Sequence, residues 1–301
     1  MITAFLTAKI AAGKADRTID YYRRELGAAL AWMQGHGSDL DSATAEQIEQ
    51  HLAEERARGM SAASVSARYR AISAYLRWKH ARQRSPGQPV IADVARPQIG
   101  KKEPRRTTPD QIERLIASIE PATWIDLRDR ALLRIMFWSG LRVGETAALA
   151  LGDLDTAARR LHIRSGKGSK ARIVPYHPAA APDLLGYLFS RPDAAGAVYL
   201  WSAGNGAGGA TNSALTDNGI RQILRRRCKA AGMSVINPHA LRHGFAMEML
   251  NNGGATMEAV SRMLGHASPE ITRRFYADYL DEEIAAIYND AIQRSAARRQ
   301  K

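Results

Sequence analysis

Cysteine is almost missing from this sequence: Cys228 is the one cysteine in 301 residues. An intrachain disulfide is therefore impossible, and so is a zinc site built on cysteine pairs. That usage fits a reducing compartment, and a cytoplasmic protein is expected. Long hydrophobic runs are lacking too. No stretch of about 18 apolar residues occurs, so no membrane-spanning helix is expected. The N-terminal MITAFLTAKIAAGKADR has an apolar segment broken by Lys9 and no basic region ahead of it, which does not make a secretory signal. No repeat of roughly 20 to 50 residues recurs. A nucleotide-binding P-loop is excluded as well. In SGKGSK, Lys167 is followed by Gly168 where Ser or Thr is needed, and the spaced upstream glycine is absent.

Acidic residues are scarce relative to basic ones, 30 Asp and Glu against 43 Lys and Arg, for a formal net charge of +13. Such an excess favours a polyanionic partner through field effects and counterion release. The basic residues are spread along the chain and not gathered on one amphipathic segment, so a nucleic acid is favoured over a membrane surface. With 45% hydrophobic and 24% charged residues the composition is that of a folded protein, and the length suits two domains.

Helical periodicity dominates residues 1–93. Tyr22, Leu26, Leu30 and Met33 form one apolar face. Thr44 and Gln47 make a capping box, with Gly59 as a stop. In the segment from Ser61, Val65, Tyr69, Ile72, Leu76 and Trp78 make a buried stripe. Arg68, Arg70, Arg77 and Lys79 surround that stripe and are candidates for a phosphate backbone. Proline, glycine and basic residues then break the pattern from Ser85 to Thr108. A basic linker is expected over 94–107, with Lys101, Lys102, Arg105 and Arg106 as further DNA-binding candidates. Thr108, Pro109 and Gln111 start the second domain, 108–301. Helices are expected from Trp124 to Trp138 and, after the turn holding Arg142, over VGETAALAL. Glu145 should orient that turn and Asp153 should cap local backbone. LHIR and ARIVPY read as a hairpin with Lys167 at its tip. Residues 202–214 read as a flexible surface loop. Helices follow over about 217–231, 238–251, 257–264, 269–276 and 282–295. The expected class is mainly α with a small β-sheet (α+β).

Arg142, Lys167, His239, Arg242, His266 and Tyr276 form a set suited to a phosphodiester. Arginines can fork the charged oxygens, a tyrosine can attack phosphorus, and a lysine or histidine can move protons. His239 and His243 sit four apart on a helix, but no acidic or cysteine partner lies near them in sequence, so no metal site is expected.

SGLRVGE, SGKGSK, HALRHGFA and LGHASPEITRRFY occur in this order, and over about residues 108–290 the chain resembles the tyrosine recombinases, or phage integrase family. Residues 1–93 resemble that family's helical, SAM-like core-DNA-binding domain. The resemblance implies that Arg142 and Arg242 hold the scissile phosphate, with His239 and His266 beside it and Lys167 as proton donor. It makes Tyr276 the nucleophile. Tyr276 lies ten residues beyond His266; Phe275 takes the position one earlier, and Tyr279 is a second candidate. The implied activity is site-specific recombination of double-stranded DNA through a 3′-phosphotyrosine, without metal, ATP or cofactor. The implied assembly is a homotetramer on two DNA sites, its domains closing on the duplex as a clamp and the 282–295 helix docking on a neighbouring protomer. Two other functions stay open: type IB topoisomerase-like relaxation, and DNA-binding regulation without catalysis.

Overall fold

A computed structural model describes residues 1–100, 106–164, 171–192, 196–204 and 209–266, with 268 and 270. They fall into two compact units, Met1–Glu103 and Pro104–Lys301.

The first unit is built from α1 (Ile2–Ala11), α2 (Asp16–Gly35), α3 (Ala45–Ala57) and α4 (Ala62–Gln83). The expected capping box starts α3: the Gln47 N–H donates to Thr44 Oγ1, and the Gln47 side chain accepts the Thr44 N–H. The Ser61 hydroxyl oxygen caps α4 by accepting the Ser64 N–H. Leu26 and Met33 of α2, Ile48 of α3 and Ile72 and Tyr75 of α4 are buried in one core. Phe5 sits at its centre, its ring edge-on to Tyr22, Tyr75 and Trp78 at 5.0, 5.5 and 5.4 Å, the geometry aromatic quadrupoles favour.

A short 3-10 turn at Val90–Ala92 ends the helical domain, Ile91 and Val94, the latter at the first position of the expected linker, are buried in the helical core, and the Tyr69 hydroxyl donates to the Val94 carbonyl. One expectation fails in this unit: Arg68 is no surface cation. It is 8% exposed, with Nε on Glu25 at 3.1 Å and Nη1 on Glu55 at 2.7 Å. Its position explains this: Arg68 is three residues past Val65 and four before Ile72, so it lies on the apolar face. Lys79 is engaged too, donating to the Asp41 carbonyl and standing 3.9 Å from that carboxylate.

The second unit opens with α5 (Pro109–Ala117), capped by Thr108 and Gln111 as expected, and α6 (Trp124–Trp138). Ala131, Leu132, Leu133, Ile135, Met136 and Phe137 make α6 the buried centre of the unit. After α7 (Val143–Ala147) come β1 (Leu154–Asp155), β2 (Arg160–Ile163) and β3 (Arg172–Pro175), antiparallel in that order, with Leu161 opposite Val174. This is the expected hairpin; Lys167 lies outside the described residues. A helix not expected from the sequence, α8 (Ala181–Ser190), packs on α6. The stretch 202–214 is not a plain loop. β4 (Ser202–Gly204) and β5 (Ala210–Ala214) pair antiparallel, and the Thr211 hydroxyl donates to the Ala203 carbonyl. α9 (Asp217–Ala230), α10 (Pro238–Asn251) and α11 (Met257–Leu264) complete the described unit.

Buried charge fastens α9 to α6. Asp129 is fully buried and receives Arg128 of its own helix and Arg226 and Arg227 of α9. α10 and α11 share a small apolar core of Phe245, Ala246, Met247, Val260 and Leu264. Of the expected helix at 269–276 only Glu270 is among the described residues, and the one at 282–295 lies outside them. Among the described residues, no helix is long and apolar enough to cross a membrane.

Candidate active site

The turn that delivers Arg142 depends on Gly140. Its φ is +59°, a conformation favourable to glycine. A Cβ there would stand 2.8 and 2.9 Å from atoms of Phe245 and Leu264 and nearer still to another ring carbon. Arg142 then precedes α7, and its N–H donates to Glu145 Oε2 at 2.9 Å. Asp153 likewise accepts the Ala150 N–H, so both carboxylates serve local backbone as expected.

α10 starts with Asn237 accepting the Ala240 N–H and Pro238 in the first turn, a favourable N-terminus. That fixes His239 in the first turn and Arg242 one turn later. α11 ends at Gly265 with φ +66°. The Gly265 and His266 N–H groups bond back to the Arg262 and Ser261 carbonyls, so the turn closes and His266 follows at once.

Three carbonyls at that helix end seat three arginines. Arg172 Nε donates to Met263 O at 2.8 Å. Leu264 O accepts from Arg242 Nη2 at 2.8 Å and from Arg142 Nη1 at 3.3 Å, and Gly265 O accepts from Arg142 Nη2 at 3.3 Å. Arg242 Nη1 also donates to Gly140 O at 2.7 Å. A helix C-terminus carries partial negative charge, so cations are stable there. Arg242 is 5% exposed, whereas the Arg142 side chain keeps 36% of its surface. Arg142 therefore faces outward from a seat that Arg242 shares.

Burial alone would raise the pKa of Glu145. Its hydrogen bonds to Arg172 and to the Arg142 N–H and side chain outweigh burial and bring it to about 2, so it is a carboxylate at all working pH. The histidines move the other way. His239 is an exposed residue, yet desolvation of its ring and the charges of Arg242, Arg142 and Arg221 lower its pKa from the ordinary imidazole value. Partial burial and then Arg242, Arg142 and Arg172 bring His266 to about 4, against an opposing pull from Glu145. Both rings are thus neutral near pH 7 before an anion arrives. His243 is buried within α10, and burial, Arg106 and His239 hold it at about 4. Among the described residues, no group of three or more His, Cys, Asp or Glu side chains could hold a metal ion.

The structure thus brings Arg142, His239, Arg242 and His266 together from α6–α7, α10 and the end of α11. Tyr276 and Lys167 lie outside the described residues, as do Lys101, Lys102 and Arg105. Of the other DNA-binding candidates, Arg70 and Arg77 are exposed on α4 and Arg106 is exposed in the second unit. Arg68 and Lys79 are committed to their own unit. Sequence reasoning missed two cations. Arg172 reaches the site through contacts distant in sequence. Arg221 is exposed on α9 close enough to depress His239. Its signal was present: Arg221 and Arg225 are four apart, flanking the stripe of buried Ile220, Ile223, Leu224 and Cys228.

A Phage integrase family model matches residues 105–283, and a model of the phage integrase N-terminal SAM-like domain matches residues 2–83. A tyrosine recombinase XerC from Rhodospirillum centenum is 32% identical over 96% of this chain and 84% of its own length. Among solved structures, the XerH site-specific recombinase in a post-cleavage complex on a palindromic difH substrate superposes with a TM-score of 0.72. It is 20% identical, covering 90% of this chain and 80% of that one. A lambda integrase tetramer bound to a Holliday junction gives 0.68 at 18% identity, covering 89% and 76%. These likenesses to solved structures concern the fold.

Proposed function

The chain belongs to the phage integrase family, and from that premise we propose that it is a tyrosine-type site-specific recombinase that cuts and rejoins DNA strands through a 3′-phosphotyrosine. The observation that carries the reading is the pairing of Arg142 and Arg242 on one carbonyl, Leu264 O, with His239 and His266 both within reach of their charge.

Each residue then has a task that follows from its chemistry. Arg142 and Arg242 bind the two non-bridging oxygens of the scissile phosphate. They stabilise the charge that builds there as phosphorus becomes five-coordinate, a contribution of several kcal/mol in such sites. The Tyr276 hydroxyl attacks phosphorus. His239, neutral before DNA binds, accepts the tyrosine proton or orients the phosphate, and His266 hydrogen-bonds the phosphate and helps position Tyr276. An arriving phosphate offsets the arginine charge and raises both histidine pKa values, which prepares them to hold a proton. The leaving 5′ oxygen takes a proton from Lys167. The phosphotyrosine conserves the energy of the broken phosphodiester, so the 5′ hydroxyl of a partner duplex can attack it without ATP. Fixed guanidinium groups supply the charge stabilisation that metal ions supply in other phosphoryl transfers.

For partners we propose double-stranded DNA with specific core sites, on which four protomers assemble across two sites. The XerH complex with a DNA site and the lambda integrase tetramer on a Holliday junction support this. A cytoplasmic location is proposed with this role. Arg70, Arg77, Arg106, Arg221 and Arg225 are proposed as phosphate contacts, because they are exposed cations in a chain of net charge +13. Lys101, Lys102 and Arg105 remain proposed contacts on sequence grounds.

The test starts by letting the protein enrich its own site from a random-sequence duplex library. A nicked suicide duplex carrying that site is then incubated with the protein and run on a denaturing gel. A covalent adduct should form, disappear in Tyr276→Phe and persist in Tyr279→Phe. No adduct refutes the recombinase reading. Loss in Tyr279→Phe alone moves the nucleophile. Plasmid relaxation without recombinant product points to topoisomerase action.

A further inference from the structure

Glu145 is shared between two arginines, and the sharing is complete. Oε1 accepts Arg142 Nη1 at 2.9 Å and Arg172 Nη1 at 3.0 Å. Oε2 accepts Arg172 Nη2 at 2.8 Å and the Arg142 backbone N–H at 2.9 Å. A carboxylate offers about four lone-pair sites, and all are filled here. Arg172 takes the fork position, with two parallel bonds from one guanidinium to both oxygens. Arg142 is left with one side-chain bond to Glu145 and two longer ones, both 3.3 Å, to Leu264 O and Gly265 O. Arg172 spends Nε on Met263 O and both Nη groups on Glu145, so all three of its nitrogens are committed within the protein.

A guanidinium forked onto a carboxylate cannot fork a phosphate with the same N–H groups. If Glu145 lost Arg172, half its acceptor sites would open with Arg142 as the adjoining cation. Arg142 would turn to fork the carboxylate, and its charge would be neutralised where it is needed. We propose that Arg172 is a positioning residue that saturates Glu145 and thereby leaves Arg142 free to grip the scissile phosphate. Arg172 also ties β3 to the end of α11 through Met263 O, one residue before the carbonyl that seats Arg142 and Arg242. The same residue therefore sets both the charge left to Arg142 and the place it occupies.

The inference rests on the recombinase reading, and the experiment separates the two. Single-turnover cleavage of the nicked duplex is measured at saturating enzyme, with affinity measured separately, for wild type, Arg172→Ala, Glu145→Gln and the double variant. Arg172→Ala should cleave about a hundredfold more slowly, as when an oxyanion donor is lost, with affinity changed less than about threefold because many other phosphates are held. Glu145→Gln should also be slow on its own. In the Arg172→Ala background it should restore about tenfold, because a neutral amide no longer captures Arg142; a structural role for Arg172 predicts further loss. Should Arg172→Ala melt below the assay temperature, Arg172→Lys with and without Glu145→Gln carries the same comparison, since an ammonium cannot fork. A double variant no faster than the single one overturns the inference, as does Arg172→Ala cleaving within about threefold of wild type. Wild type forming no adduct overturns the recombinase reading and this inference with it.

Discussion

Replacing Gly140 by alanine should damage the second unit at the turn that delivers Arg142, and its cost can be worked out. The positive φ of +59° costs a residue with a Cβ about 1 kcal/mol. The added carbon would also press into Phe245 and to 2.9 Å from Leu264, which are core side chains between α10 and α11. Overpacking of that kind costs about 1–3 kcal/mol, so the total is about 3 kcal/mol. Gly232 supplies the control. It lies in the same unit with φ +62°, and nothing stands within 4 Å of its Cβ position. Gly232→Ala should cost the backbone strain alone, about 1 kcal/mol. Native-state hydrogen exchange on peptides from α6 reads this unit by itself. Globally protected amides should exchange about 150-fold faster in Gly140→Ala and about fivefold faster in Gly232→Ala. Cleavage should follow, because the Gly140 carbonyl holds Arg242. Protection factors within about threefold of each other for the two variants would refute the packing argument.

Arg68→Ala should destabilise the first unit by about 1–3 kcal/mol, because Glu25 and Glu55 would keep only the exposed Arg24 and Arg58 as partners; thermal unfolding checks it. Arg70→Ala should leave melting almost unchanged and lower the log-affinity against log-salt slope by about one, and a flat slope in the wild type would contradict phosphate binding altogether. His51 is fully buried, and neither ring nitrogen has a hydrogen-bond partner among the described residues. Burial, and then Arg68, holds its pKa at about 4, below the ordinary value near 6.5. The unfolded chain therefore takes up this proton first as pH falls. Its contribution to stability is intact above about 6.5 and lost between about 6.5 and about 4, by on the order of 3 kcal/mol. His51→Leu should flatten that window and raise the melting temperature at pH 7, both visible in melts across pH.

Local chemistry was legible in the sequence where a few neighbouring residues determine the outcome. The Thr44–Gln47 and Thr108–Gln111 capping boxes need only four consecutive residues each. Arg142, His239, Arg242 and His266 stand in short ordered motifs, so their meeting could be anticipated. What stayed illegible depends on partners far along the chain. Arg68 looked like its neighbours on α4 until Glu25 and Glu55 were placed beside it. Arg172 sits in an ordinary strand, and only the fold brings it to Glu145 and Met263. The 202–214 stretch is rich in glycine and small polar residues, which hides a pairing made by backbone. Val94, at the first position of the expected linker, stayed illegible for the opposite reason: the prolines around it outweighed one apolar residue that packs into the core.

The end of α11 is a common footing for cations that arrive on three different elements. None of the three can be retuned alone, since a change in the pitch of that last turn tilts them all together. Damage to this region should therefore register as one failure shared by every step of the reaction, and a repair made at a single arginine would not undo it.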